Sequence, residues 1–421
     1  MDRDAEKIRR GKILQPVHKA ETFRQIAGRE QPFLLGGLGA AFPVQAAKSV
    51  YNSDAMSSIL DHANPALRDF KAYQPGKPLE ETARELGADA DDIIKLASNE
   101  NPFGPSPIAL SAMRDALECA HLYPDGGGYY LGDALSKKLG VPSDHLILGN
   151  GSNEIIEFLA HAFLREGDEI ITSEHAFVVY KLVAKVFGAK TIETPSRDYH
   201  HHLDALLGAI TPRTRLIFIA NPNNPTGTLL SQAQIDSFML HLPDNVIAIF
   251  DEAYFEYVDD PPDTLRFVHE GRNVVTLRTF SKIAGLAGLR IGYGIGRPAL
   301  IEILQKTRQP FNTSGIAQGA ARAALGDDEH INTTKRLTTQ GRDYLQQEFT
   351  KMKLRFLPSA ANFVLVQVGD GRAVFRALLQ KKVIVRELKG YNLPEWIRIS
   401  IGTMEQNRKC IAALKEILAD R

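Results

Sequence analysis

The sequence lacks several features that would point to particular classes of protein. It has two cysteines in 421 residues, Cys119 and Cys410. Neither lies in a Cys-x-x-Cys pair or beside histidines at metal-ligand spacing. A disulfide framework and the common zinc patterns are therefore excluded, and two reduced, buried thiols in a reducing compartment, the cytoplasm, are expected. No apolar run reaches the ~20 residues that a helix needs to span a bilayer. There is no excess of charge of either sign, with 50 lysines and arginines against 50 aspartates and glutamates. That balance removes the electrostatic reason to expect nucleic acid or an anionic membrane as partner, while leaving room for a local basic pocket. Internal repeats, heptads and low-complexity tracts are also missing.

What remains is an ordinary globular composition, 44% hydrophobic and 24% charged. The length exceeds a single typical core, so a large and a small lobe are expected. The segment Phe33–Ala47 (FLLGGLGAAFPVQAA) is apolar and ends in small residues, like the core of a secretory signal. It starts late, however, after a mixed-charge stretch holding Asp2, Asp4, Glu6, Glu21 and Glu30, which argues against export. Residues 1–55 are expected to be an extension, or upstream sequence read through from an early start codon, with Met56 opening the more regular chain. Sequencing the native N-terminus checks this, and a terminus near Met1 would refute it.

From about Ile93 onward, short apolar runs alternate with helical patterns. Ile170–Thr172, Leu216–Ala220, Val246–Phe250 and Val274–Leu277 are apolar at consecutive positions, as strands buried on both faces should be. Helical segments such as Glu154–Leu164 and Ser231–Leu242 lie between them. This alternation predicts an α/β fold with a mostly parallel central sheet flanked by helices. After Pro310 a long helical region, Ser314–Lys353, precedes strand-like pieces at Phe363–Val368, Val383–Val385 and Ile397–Ser400 and a last helix at Glu405–Leu418. That mixture predicts a smaller α+β lobe. The expected division is an N-terminal extension over 1–60, an arm and part of the small lobe over 61–115, a large domain over 116–310 and a small C-terminal domain over 311–421.

Three polar segments follow strand-like runs, where an open α/β sheet binds its ligands. The first is Asn221-Pro222-Asn223-Asn224-Pro225-Thr226-Gly227, which alone is as readily a tight loop as a site. The second is Asp251-Glu252-Ala253-Tyr254, whose acid at the end of a buried strand needs a partner. The third is Thr279-Phe280-Ser281-Lys282, with Arg290 eight residues further on. A lysine among hydroxyls and small residues suits imine chemistry if burial lowers its pKa, although a lone lysine is more often a surface residue.

In this order and spacing the three motifs resemble those of the fold-type I pyridoxal-phosphate aminotransferases, and among them the histidinol-phosphate aminotransferase family. The resemblance runs from about Ala66 to the C-terminus. It implies pyridoxal 5'-phosphate as cofactor, with Lys282 as the Schiff-base lysine. Asp251 would pair with the protonated pyridine nitrogen, which keeps the ring an electron sink. Asn224 and Tyr254 would hydrogen-bond the phenolic oxygen. Thr279, Ser281 and Arg290 would hold the phosphate, a task for which the planar guanidinium fork is suited. Gly151, Ser152 and Asn153, ahead of a helix, would add free amides to that phosphate site, although Ser152 and Asn153 also read as plain N-caps.

Phe177 matches the position that stacks on the cofactor ring, where the family usually has tyrosine. Tyr123 matches a tyrosine that reaches the cofactor phosphate of a second subunit, which implies an obligate homodimer; the Gly126-Gly127-Gly128 that follows is looser than the usual turn. Arg398 matches the arginine that grips a substrate carboxylate. Tyr73 resembles a tyrosine that closes over substrate, and Arg386 an arginine placed for a substrate phosphate. The implied reaction is a ping-pong transfer from an amino donor, L-histidinol phosphate, to 2-oxoglutarate. Other readings stay open: an aromatic amino-acid aminotransferase on the same scaffold, or a decarboxylase of phosphate-bearing amino acids. A transcription regulator would need a DNA-binding module, for which the first 60 residues are too short and too often broken by glycine and proline.

Overall fold

The computed structural model describes residues 59–68 and 77–419. Tyr73 and residues 1–58 of the expected extension lie outside them. Thirteen strands are numbered in chain order among the described residues. Seven build the large sheet: β2 (Leu146–Gly149), β3 (Glu169–Ser173), β4 (Lys190–Thr194), β5 (Thr214–Ala220), β6 (Ile247–Asp251), β7 (Val274–Thr279) and β8 (Gly292–Gly296). Their order is β2-β8-β7-β6-β5-β3-β4. β8 runs antiparallel to both of its neighbours, and the other pairings are parallel.

The consecutive apolar residues of the central strands serve two cores. Ile217, Ile219, Ala248 and Phe250 face one side, with Ile235 and Phe238 of the helix Gln232–His241. Leu216, Phe218, Ile247 and Ile249 face the other, with Ile155, Ile156 and Leu159 of the helix Gly151–Phe163. Each such side chain, when fully buried, contributes about 1.5–3 kcal/mol. The helix Gly315–Leu325, beyond the expected boundary at 310, buries Ala317, Ala320, Ala321 and Ala324 in the first of these cores. It packs against the helix Pro107–Leu117.

The smaller lobe holds a four-stranded antiparallel sheet of β9 (Phe356–Leu357), β10 (Phe363–Gln367), β12 (Arg386–Glu387) and β13 (Trp396–Ser400), in the order β12-β13-β10-β9. The helices Asp328–Lys351, Gly371–Gln380 and Met404–Ala419 share its core, through residues such as Phe349, Val374 and Leu414. β1 (Ile94–Lys95) pairs in parallel with β11 (Val383–Ile384). The chain before residue 100 is thereby tied to this lobe, with Leu96 buried in its core.

Of the two thiols expected to be buried, Cys410 is buried and Cys119 is exposed. Several element boundaries also differ from those expected, three of them in ways that bear on the site or the lobes. The single helical region expected over 314–353 is two helices, broken at Gly326-Asp327, where Asp327 caps the second by accepting from the His330 amide. The strand-like Val383–Val385 ends at Ile384, and Arg386 begins a strand of the other sheet. The helix expected to start at Glu154 starts at Gly151, so Ser152 and Asn153 are first-turn residues and not caps. No helix among the described residues is long and apolar enough to cross a membrane.

Candidate active site

The carboxyl ends of β5, β6 and β7 are adjacent, in the register Ala220 to Asp251 and Asp251 to Leu277. A cavity of about 490 Å³ opens there. It is lined by Asp251, Tyr254, Asn224 and Lys282, by Gly151, Ser152, Asn153, Thr279, Ser281 and Arg290, and by Phe177. Arg386 and Arg398 of the small lobe line it as well. Of the residues singled out from the sequence, Tyr123 stands apart from the cavity. It is 83% exposed and stacks on Phe311 with ring centroids 4.8 Å apart.

Lys282 follows β7 by three residues, and its Nζ lies 5.6 Å from the centre of the Tyr254 ring. Burial, helped by the charges of Arg398 and Arg290, lowers its pKa to about 8. An amine so placed is neutral in a useful fraction near neutrality, as a nucleophile or base requires.

Asp251 is the last residue of β6 and is buried. Tyr180 donates its hydroxyl to Oδ2 at 2.7 Å, while Oδ1 has no hydrogen-bond partner. Burial raises the carboxyl's pKa, against the opposing pull of Tyr180. An orphaned buried carboxylate oxygen facing a cavity is costly unless a donor arrives from a ligand. A protonated pyridine nitrogen is such a donor, so this atom fits the cofactor implied by the motifs.

Tyr254 is buried, and its hydroxyl accepts from Asn99 Nδ2 at 3.0 Å. Asn99 is itself held by Ser400, whose Oγ donates to Asn99 Oδ1 at 2.8 Å. In the loop after β5, Asn221 and Asn223 are structural: Asn221 Oδ1 accepts from the Leu230 amide at 2.8 Å, and Asn223 Nδ2 donates to the His175 carbonyl at 3.1 Å. Asn224 alone of the three faces the cavity, where its Oδ1 accepts from Arg398. Two cis peptides, Asn221-Pro222 and Asn224-Pro225, shape this loop.

The segment around Gly151 offers backbone donors beside side-chain ones. Asn150 precedes the helix Gly151–Phe163 without a side-chain cap, which leaves the first-turn amides free to bind an anion. Arg290 reaches across from its left-handed backbone position (φ 52°), donating to Ser281 Oγ at 3.3 Å and to the Asn150 carbonyl at 3.4 Å. The left-handed backbone at Gly151 (φ 69°) favours glycine, and a Cβ there would stand 2.7 Å from the Arg290 guanidinium and push it aside. β8 passes beneath this turn, and a Cβ on Gly292 would meet the Ser152 amide at 2.7 Å.

Three further cavity or support residues escaped the sequence reading: Asn99, Tyr180 and Tyr391. Asn99 lies in Ser98-Asn99-Glu100-Asn101-Pro102, whose asparagine-and-proline composition echoes the loop after β5 and was the available signal. Tyr180 lies three positions beyond Phe177 and carries no signal that separates it from a core tyrosine.

A parallel sheet with one antiparallel strand, a lysine and an orphaned acid at its carboxyl edge and an anion cradle at a helix start together define a pyridoxal-phosphate aminotransferase of fold-type I. Residues 91–414 match the family described as aminotransferase class I and II. The chain is 51% identical to the histidinol-phosphate aminotransferase of Akkermansia muciniphila, over 86% of this chain and all of the relative. It is 48% identical to that of Moorella thermoacetica, over 84% of this chain and 92% of the relative. Among solved structures it is similar to the histidinol-phosphate aminotransferase of Sinorhizobium meliloti in complex with pyridoxal-5'-phosphate, with a TM-score of 0.77 and 28% identity, covering 85% of this chain and 97% of the other. The chain belongs to the class I and II aminotransferases and, within them, to the histidinol-phosphate aminotransferase family.

Proposed function

We propose that the chain moves the amino group of L-histidinol phosphate to 2-oxoglutarate, giving imidazole acetol phosphate and L-glutamate. The observation that carries this reading is the placing of two guanidiniums, Arg386 and Arg398, in the same cavity as Lys282 and Asp251. Such a cavity suits an amino substrate with an anion at its far end. The bound cofactor supplies an electron sink for the pair left when the Cα–H bond of the donor breaks.

The protein's residues divide the remaining work. Lys282 holds the cofactor, and its Nζ, once released, takes the proton from Cα and returns it on the other side of the transfer. Asp251 Oδ1 accepts from the ring nitrogen and keeps its charge, with Tyr180 fixing the carboxylate through Oδ2. Asn224 and Tyr254 hold the phenolic oxygen. The amides of Gly151, Ser152 and Asn153, with Thr279, Ser281 and Arg290, hold the cofactor phosphate, and Phe177 flanks the ring. Arg386 binds the donor phosphate. Arg398 binds the carboxylate of 2-oxoglutarate, and Tyr73 closes over the substrate.

The exposed Tyr123 serves the cavity of a second copy, so the working enzyme is a homodimer in the cytoplasm. The exposed Leu122, Tyr129 and Tyr130 around it support an interface on this face. Sedimentation of active enzyme as a single chain would contradict it.

Mixing the holoenzyme with single amino donors tests the donor. Histidinol phosphate is expected to bleach the visible absorbance of the lysine-bound cofactor faster than phenylalanine, tyrosine, aspartate or glutamate. A faster response to phenylalanine or tyrosine would make the enzyme an aromatic aminotransferase, and CO₂ release without use of 2-oxoglutarate would make it a decarboxylase. Arg386→Ala is expected to raise KM for histidinol phosphate roughly thirtyfold, the worth of charge-assisted hydrogen bonds. The effect on 2-oxoglutarate should be far smaller, and equal effects on both would count against the phosphate role.

A further inference from the structure

Tyr391 has a place in the cavity and no part in the chemistry above. It ends the turn Lys389–Tyr391, five positions after Arg386, and lines the cavity with Arg386 and Arg398. A contact from the large lobe fixes its backbone. His175 Nδ1 lies 2.6 Å from the Tyr391 carbonyl, and because a carbonyl only accepts, the ring nitrogen donates. His175 belongs to the segment that carries Phe177, so Tyr391 bridges the cofactor wall and the strand that bears Arg386.

The neighbours of Tyr391 in the cavity decide what the phenol can offer a ligand. A tyrosine hydroxyl has one proton to give and accepts on its oxygen. Arg386 and Arg398, the charged groups beside it, are donors only and cannot take that proton. Burial keeps the phenol protonated at neutral pH, although the two arginines pull the other way. An O–H donor beside two guanidiniums is complementary to an anion with several acceptor oxygens.

We propose that Tyr391 is a specificity-determining residue that donates its O–H to the phosphate of the amino donor, alongside Arg386. Phosphate has oxygens enough for a guanidinium fork and a phenol together. The assignment rests on the reading of a phosphorylated donor given above.

The test compares wild-type and Tyr391→Phe holoenzyme with histidinol phosphate and with histidinol, which differ only in the phosphate. The expected result is a fall of about tenfold in the ratio of kcat/KM for the two donors, the worth of one hydrogen bond to a charged group. Inorganic phosphate, used as a competitor of histidinol phosphate, should inhibit the variant correspondingly less. A ratio within twofold of the wild-type value overturns the assignment even if overall activity falls, because a structural defect lowers both donors together. A wild-type enzyme with no preference for histidinol phosphate over histidinol overturns the donor reading itself, and that outcome appears before any variant is measured.

Discussion

Lys282→Ala is expected to lower turnover by about ten thousandfold or more and to remove the visible absorbance of cofactor joined to the enzyme as an imine. Two separate losses lie behind this. The imine cannot form without the amine, so the spectral change is complete and not graded. The proton transfer at Cα also loses its base, and positioned acid–base groups of this kind contribute about 10²–10⁴-fold. No neighbour can take over. The cavity is also lined by the carboxyl of Asp251, the phenol of Tyr254 and the amide of Asn224, and the first is engaged by Tyr180. None of them is an amine, and Lys282 is one whose pKa burial lowers to about 8. The variant should still bind pyridoxal phosphate without a covalent link, because Arg290, Ser281 and the free amides at Gly151 remain. An imine spectrum retained by this variant would refute the assignment of Lys282.

The sheet was legible where its strands are apolar at consecutive positions. Ile217 and Phe218 point to opposite cores, and only strands buried on both faces demand that pattern. β8, with the sequence Gly292-Tyr293-Gly294-Ile295-Gly296, escaped notice because three glycines weaken any strand signal. Gly292 and Gly294 are there because the start of the helix Gly151–Phe163 and Ile155 press on the strand, a contact between segments far apart in the chain, while Gly296 faces the Val274 carbonyl and Ile301. The same distinction separates the site residues. Those in ordered motifs at strand ends could be read, because motif and topology coincide there. Residues joined to the site only through space could not be: Asn99 reaches Tyr254 across 155 positions, and Tyr180 reaches Asp251 across 71. Local composition holds no record of such pairs. Arg398 could be named, but its contact with Asn224 is a bond between lobes 174 positions apart that no spacing predicts.

Asp251→Asn is expected to lower kcat about a thousandfold while leaving the fold intact. The substitution keeps the shape and a hydrogen-bonding group, and removes only the negative charge. That charge is what a protonated ring nitrogen requires, and breaking a buried ion pair costs about 3–5 kcal/mol, or two to four powers of ten in rate. The cofactor-free protein should respond in the opposite sense. Burial raises the Asp251 pKa in the folded chain, so at neutral pH, above its unfolded value, the ionised carboxyl opposes folding; below that value the penalty is gone. Asparagine removes the penalty, and the apo form should melt at the wild-type temperature or higher near neutral pH, while the gain in Tm on adding pyridoxal phosphate shrinks. Asp251→Glu restores the charge at the wrong distance and should recover part of the rate. Tyr180→Phe, which frees Oδ2 without touching the charge, should cost only about tenfold, the worth of one hydrogen bond to a charged group. If Asp251→Asn kept kcat within tenfold of wild type, the orphaned Oδ1 would need another explanation than the ring nitrogen it is placed to meet.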